Sequence, residues 1–168
     1  MNNTNPTLQP YEYEGAGNAY LMSLAAVVAG LPLPIINVIA ALIYYMAKRK
    51  SSYAIRWHAL QALLAQLVVM PFNSVAMWWT IKILSNELLW EETSRGSYSI
   101  RSGEYLLSSF SSIYWAYLAF VLLLNIFEFI AVISTAIQVR KGINVRWFGI
   151  ASITDALCSK ENRDPYAI

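Results

Sequence analysis

Lys48-Arg49-Lys50-Ser51-Ser52-Tyr53-Ala54-Ile55-Arg56-Trp57-His58-Ala59-Leu60-Gln61-Ala62 is a basic, polar turn set between two long apolar runs, Asn18 to Ala47 before it and Leu60 to Leu84 after it. A third run, Tyr105 to Val139, lies further on. The first carries no formal charge, the second only Lys82 and the third only Glu128. Each exceeds the roughly 20 apolar residues that cross about 30 Å of hydrocarbon. With no water there to satisfy backbone amides, such runs must be helices. The reading is an all-α integral membrane helical bundle, and composition agrees with it. Over 168 residues, 57% apolar and 14% aromatic content with a mean hydropathy of +0.43 is too apolar for an ordinary soluble domain.

The turn also orients the chain. Lys48, Arg49, Lys50 and Arg56 follow the first run, and Arg140, Lys141 and Arg146 follow the third. Both clusters are expected to be cytoplasmic by the positive-inside rule, with the C-terminus on the same side. The connection from 85 to 104 mixes Arg95 and Arg101 with Glu87, Glu91, Glu92 and Glu104, and is expected outside.

Pro32 and Pro34 interrupt the first run in Gly30-Leu31-Pro32-Leu33-Pro34. Each removes an amide donor and disfavours α geometry in the residue before it, so the run breaks into two halves and the bundle has four helical segments. Each half is about 20 Å long at ~1.5 Å per residue, too short to span alone. The run is either one kinked crossing or a short hairpin. Pro71 marks a further point of kinking or local unwinding in the second run. Residues 1–17 carry no Lys or Arg, hence no basic n-region of a signal peptide, and read as a polar tail. Residues 18–158 form the membrane domain. Its last part, 143–158, follows the C′ candidate Gly142 as a weakly amphipathic cytoplasmic segment, and 159–168 form a second tail.

Glu128 is the one carboxylate within an apolar run. Charging it at membrane depth costs several kcal/mol, so it should be neutral or partnered. It lies about 18 Å from Arg140 along a helix, and Gln66 about 15 Å from Arg56, so the two can share a level. Asn125, one turn from Glu128, can extend a polar bundle core to Asn73. Such a core is either a proton or ion site or glue between helices. A lone acid with no second titratable group at its depth makes a poor relay, which favours glue.

His58 and Gln61 share a helical face, and with Lys48, Arg49, Lys50 and Arg56 they make a candidate cytoplasmic face for a partner or for lipid. The competing reading is a boundary histidine that bridges closely packed helices. One His and one distant cysteine, Cys158, cannot complete a zinc shell, and one cysteine excludes a disulfide within the chain. No Gly-x-Ser-x-Gly turn and no phosphate-binding glycine loop is present. A net charge of +2 is no nucleic-acid footprint. No cofactor, metal or enzyme activity is therefore expected.

The basic turn followed by Arg56-Trp57-His58-Ala59-Leu60-Gln61-Ala62-Leu63 resembles a bacterial family of small membrane proteins related to the small four-helix subunit of the chloroplast Tic protein-import translocon. The run from Pro34 into Ile35 to Ala47, and the end Ala136 to Gly142 followed by Arg146-Trp147, fit the same resemblance. It implies four helical segments with both termini cytoplasmic, and hence the hairpin form of the first run. The expected function is a non-enzymatic membrane subunit of a larger hetero-complex, linked to protein translocation or membrane-protein biogenesis and surrounded by lipid. The alternatives are a small ion or solute transporter using Glu128, Asn125 and Gln66, and a lipid-interacting membrane enzyme.

Overall fold

The computed structural model describes residues 9–24, 34–89 and 111–158. Among them are five helices and no strand: α1 Pro10–Met22, α2 Pro34–Lys48, α3 Tyr53–Leu89, α4 Ser112–Arg140 and α5 Ile150–Cys158. Two stretches are long and apolar enough to cross a membrane, Tyr53–Leu84 and Ser112–Arg140, and Ile35–Lys48 is a shorter apolar helix. The chain is an all-α membrane bundle. Pro34 opens α2, while Pro32, most of the connection 85–104, the start of the third run and the tail 159–168 lie outside the described residues.

Two segments differ from the sequence reading. Residues 10–17, expected within a polar tail, are helical. Pro10 stands at the first helical position, where its missing N–H costs nothing, and the Glu12 carboxylate accepts the Gln9 amide at 2.7 Å. Glu12, Ala16 and Gly17 are buried. Its small residues let it approach its neighbours closely. A Cβ on Gly17 would stand 2.6 Å from Arg140 Cγ and 3.2 Å from the Ala136 carbonyl oxygen. The amphipathic stretch 143–158 is helical only from Ile150. Gly142, at φ +83°, ends α4 in a Schellman motif, with Gly142 N–H on the Val139 carbonyl and Ile143 N–H on that of Gln138. Helix α3 runs through Pro71 without a break.

The chain divides into two compact units, residues 1–70 with 127–168, and residues 71–126. In the first, Ala16, Ala19, Tyr20 and Leu24 pack with Ala59, Ala62, Val132, Ala136 and Val139. Alanines on three helices permit the close approach that membrane bundles rely on. A second cluster gathers Val38, Ala41, Trp57, Leu60, Leu63, Ala151 and Cys158 from α2, α3 and α5. Opposite Val38 and Ala41, α2 exposes Ile35, Ile39, Leu42, Ile43 and Met46. A helix apolar on its inner and outer faces alike belongs in lipid. In the second unit Phe72 and Phe120 meet edge to face, Trp79 packs on Tyr114 and Tyr117, and Val75, Trp78, Ile81, Leu122 and Leu123 are exposed.

Candidate functional site

The first unit holds a polar hub built around Gln61, which is fully buried. Its side-chain nitrogen donates to the Tyr20 hydroxyl at 2.7 Å and to the Val145 carbonyl at 3.1 Å, and its oxygen accepts the Trp147 amide at 3.2 Å. Three of the four hydrogen bonds open to a glutamine amide are therefore made by the chain itself. Tyr20 OH lies 2.9 Å from His58 Nδ1. The phenol oxygen thus accepts from Gln61 and shares a second hydrogen bond with the imidazole.

Local structure supplies each group. His58 and Gln61 are three residues apart on one face of α3, and Tyr20 comes from the last turn of α1. The Schellman turn at Gly142 sends the chain back along α3, placing Val145 and Trp147 over that face. The Trp147 indole N–H donates to Thr135 Oγ1 at 2.9 Å, and its ring stacks on Tyr20 with centroids 6.3 Å apart. At the rim, Trp57 Nε1 donates to Asp155 at 2.8 Å, Arg146 forms an ion pair with Asp155, and the Arg146 guanidinium sits 5.2 Å over the Trp57 ring. The hub thereby fastens α1, α5 and the segment before α5 to α3. Its groups are occupied by one another, and among the described residues no group of three or more His, Cys, Asp or Glu could hold a metal ion.

Gln66 and Glu128 meet in the same unit. The Gln66 amide donates to Glu128 Oε1, and both side chains are buried. Asn73 and Asn125 meet in the second unit. Each amide nitrogen donates to the other's oxygen, at 3.0 and 2.7 Å, and Asn125 also donates to the Val121 carbonyl. Of the four residues expected in a polar core, Gln66 and Glu128 thus pair within the first unit and Asn73 and Asn125 within the second.

The expected face for a partner or lipid separates in the structure. Arg49 and Lys50 are exposed and Lys48 is half-buried, but Arg56, His58 and Gln61 are 9%, 6% and 0% exposed. They are interior residues. The elements that cover them are α1, whose residues 10–17 are expected in a tail and 18–22 in the first apolar run, and residues 143–147, in the stretch expected either at the interface or packed under the bundle. Sequence reasoning missed Tyr20 and Asp155 as partners. A tyrosine inside a charge-free run was the available signal for the first, since a buried phenol needs a hydrogen-bond partner.

A family model described as the magnetosome magnetite crystal formation protein family, MamF/MmsF, matches residues 16–153. That span includes Tyr20, His58, Gln61, Glu128 and Trp147. No curated protein and no solved structure matches. The sequence resemblance stands as far as a bacterial membrane-protein family; the matched family is the magnetosome one, and the kinship to the Tic subunit gains no support.

Proposed function

The chain belongs to the magnetosome magnetite crystal formation protein family, and on that premise we propose that it is a non-enzymatic subunit of a protein assembly in the magnetosome membrane that supports magnetite crystal formation. The observation that carries this reading is the family match, which runs from α1 into α5. The architecture agrees with it. The buried polar groups of the first unit serve to hold helices together, and long apolar faces on α2, α3 and α4 are left for lipid or neighbouring membrane proteins. The basic turn and the C-terminal segment face the cytoplasm in this reading, because the clusters around Lys48 and Arg140 share one side. Deleting the gene in a magnetite-forming host and imaging the particles tests it: crystals of altered size or shape, restored by the full chain, are expected. Crystals identical to those of the parent strain contradict it.

A transport reading has one favourable observation, a buried carboxyl in a crossing helix with a neutral partner, Glu128 with Gln66. Glu128→Gln keeps an acceptor oxygen and removes the titratable group. Restoration of normal crystals by this variant is expected if the pair is structural, whereas loss of proton or solute flux in liposomes would support transport.

A further inference from the structure

A cavity of about 600 Å³ opens in the first unit where α1 meets the basic turn, within the range of roughly 300–1,000 Å³ typical of small-molecule sites. Its two walls differ in chemistry. The turn contributes Lys48, Lys50, Ser51 and Ser52, and α1 contributes Tyr11, Glu14 and Asn18. The Tyr44 hydroxyl, also at the cavity, donates to the Gly15 carbonyl at 2.6 Å and ties α1 to α2 there.

We propose that this cavity holds a phospholipid headgroup bearing both a phosphate and an amine. The turn is a phosphate wall, with two ammonium groups, two hydroxyls and the first turn of the 37-residue helix α3, whose leading amides lack intrahelical partners. Ser52 lines the cavity, and its hydroxyl has no hydrogen-bond partner. Among the described residues neither lysine has an ion-pair partner, Glu14 included. Glu14 would repel a simple anion. It fits the amine of a zwitterion, and Tyr11 and Tyr44 line the same cavity. A lipid rather than a soluble zwitterion follows from position: the cavity lies where the apolar helix Ile35–Lys48 ends and the candidate span Tyr53–Leu84 begins, the level at which a headgroup sits beside basic residues. This assignment needs the chain to sit in a membrane but is independent of which assembly it joins.

The test is native mass spectrometry of the full chain in mild non-ionic detergent, given phosphatidylethanolamine and phosphatidylglycerol in equal amounts. Wild type is expected to retain one lipid and to prefer phosphatidylethanolamine. Lys48→Gln/Lys50→Gln lowers retention about tenfold, the loss of two charge-assisted contacts. Ser52→Ala, which leaves the charge untouched, lowers it about threefold. Glu14→Gln abolishes the preference but keeps binding, and Arg49→Gln, on the same turn but outside the cavity, changes neither. Circular dichroism verifies that each variant is folded. Retention unchanged in the lysine double variant overturns the site, and equal loss in Arg49→Gln overturns it in favour of diffuse surface attraction. Displacement of the lipid by soluble phosphoethanolamine or inorganic phosphate overturns the lipid as ligand.

Discussion

Residues 55–63 and residues 71–84 belong to the same helix, α3, and have opposite environments. Every residue from Ile55 to Leu63 is buried, whereas in 71–84 only Ala76 is. Both stretches are rich in apolar residues, so hydropathy does not separate them. What separates them is cover: α1, α5 and the segment 143–147 enclose the first stretch within its unit, while the second has apolar side chains facing outward. Enclosure permits a shared polar hub, because several elements can each supply a partner. In the second unit, Asn73 and Asn125 instead satisfy each other. The difference teaches that polar residues in membrane helices are read by what surrounds them, not by their depth alone.

The comparison breaks first, if it breaks, at Gln61. Gln61→Leu leaves the Tyr20 hydroxyl, the Val145 carbonyl and the Trp147 amide without their partner, at a cost of about 3 kcal/mol. Thermal unfolding in detergent should show the largest drop of any single substitution considered, together with early protease access to the C-terminal segment. Gly17→Leu tests the enclosure itself. Its side chain must displace the Arg140 stem and crowd the α4 backbone, costing roughly 2 kcal/mol in the same assay. Glu128→Leu removes the partner of the Gln66 amide and should cost about 1–2 kcal/mol, while Glu128→Gln costs less than about 1 kcal/mol. The smallest effect is expected in the second unit, where Asn125→Leu should cost about 0.6–1 kcal/mol. A loss at Asn125 equal to that at Gln61, measured by unfolding in one detergent, would erase the contrast between the units.

Much of the architecture was legible in the residues because charge-free length forces helices in hydrocarbon. Lys82 and Glu128 were the sole charges in two of the long runs, and depth counting from Arg56 and Arg140 put Gln66 and Glu128 on a level, where the structure joins them. The hub was not legible. Tyr20 and Gln61 are 41 positions apart, and their contact depends on α1 beginning at Pro10 in a segment whose two glutamates and two prolines resemble a solvated tail. Helical periodicity identifies a face, but it does not say which distant element covers it. For that reason the residues left His58 open between a cytoplasmic face and a bridge between helices, and the structure, which joins it to Tyr20 of α1, has it bridging. The Gly142 turn was visible as a helix end; the course of the chain beyond it, which brings Trp147 onto Gln61, was not.

The most direct measurement of the assembly reading is the size and composition of the particle that carries this chain when magnetosome membranes are extracted in mild detergent. The account predicts that the full chain migrates in a complex with other integral membrane proteins, identified by mass spectrometry after affinity capture. Recovery of the chain alone, in a lipid-filled micelle of monomer size, would contradict it.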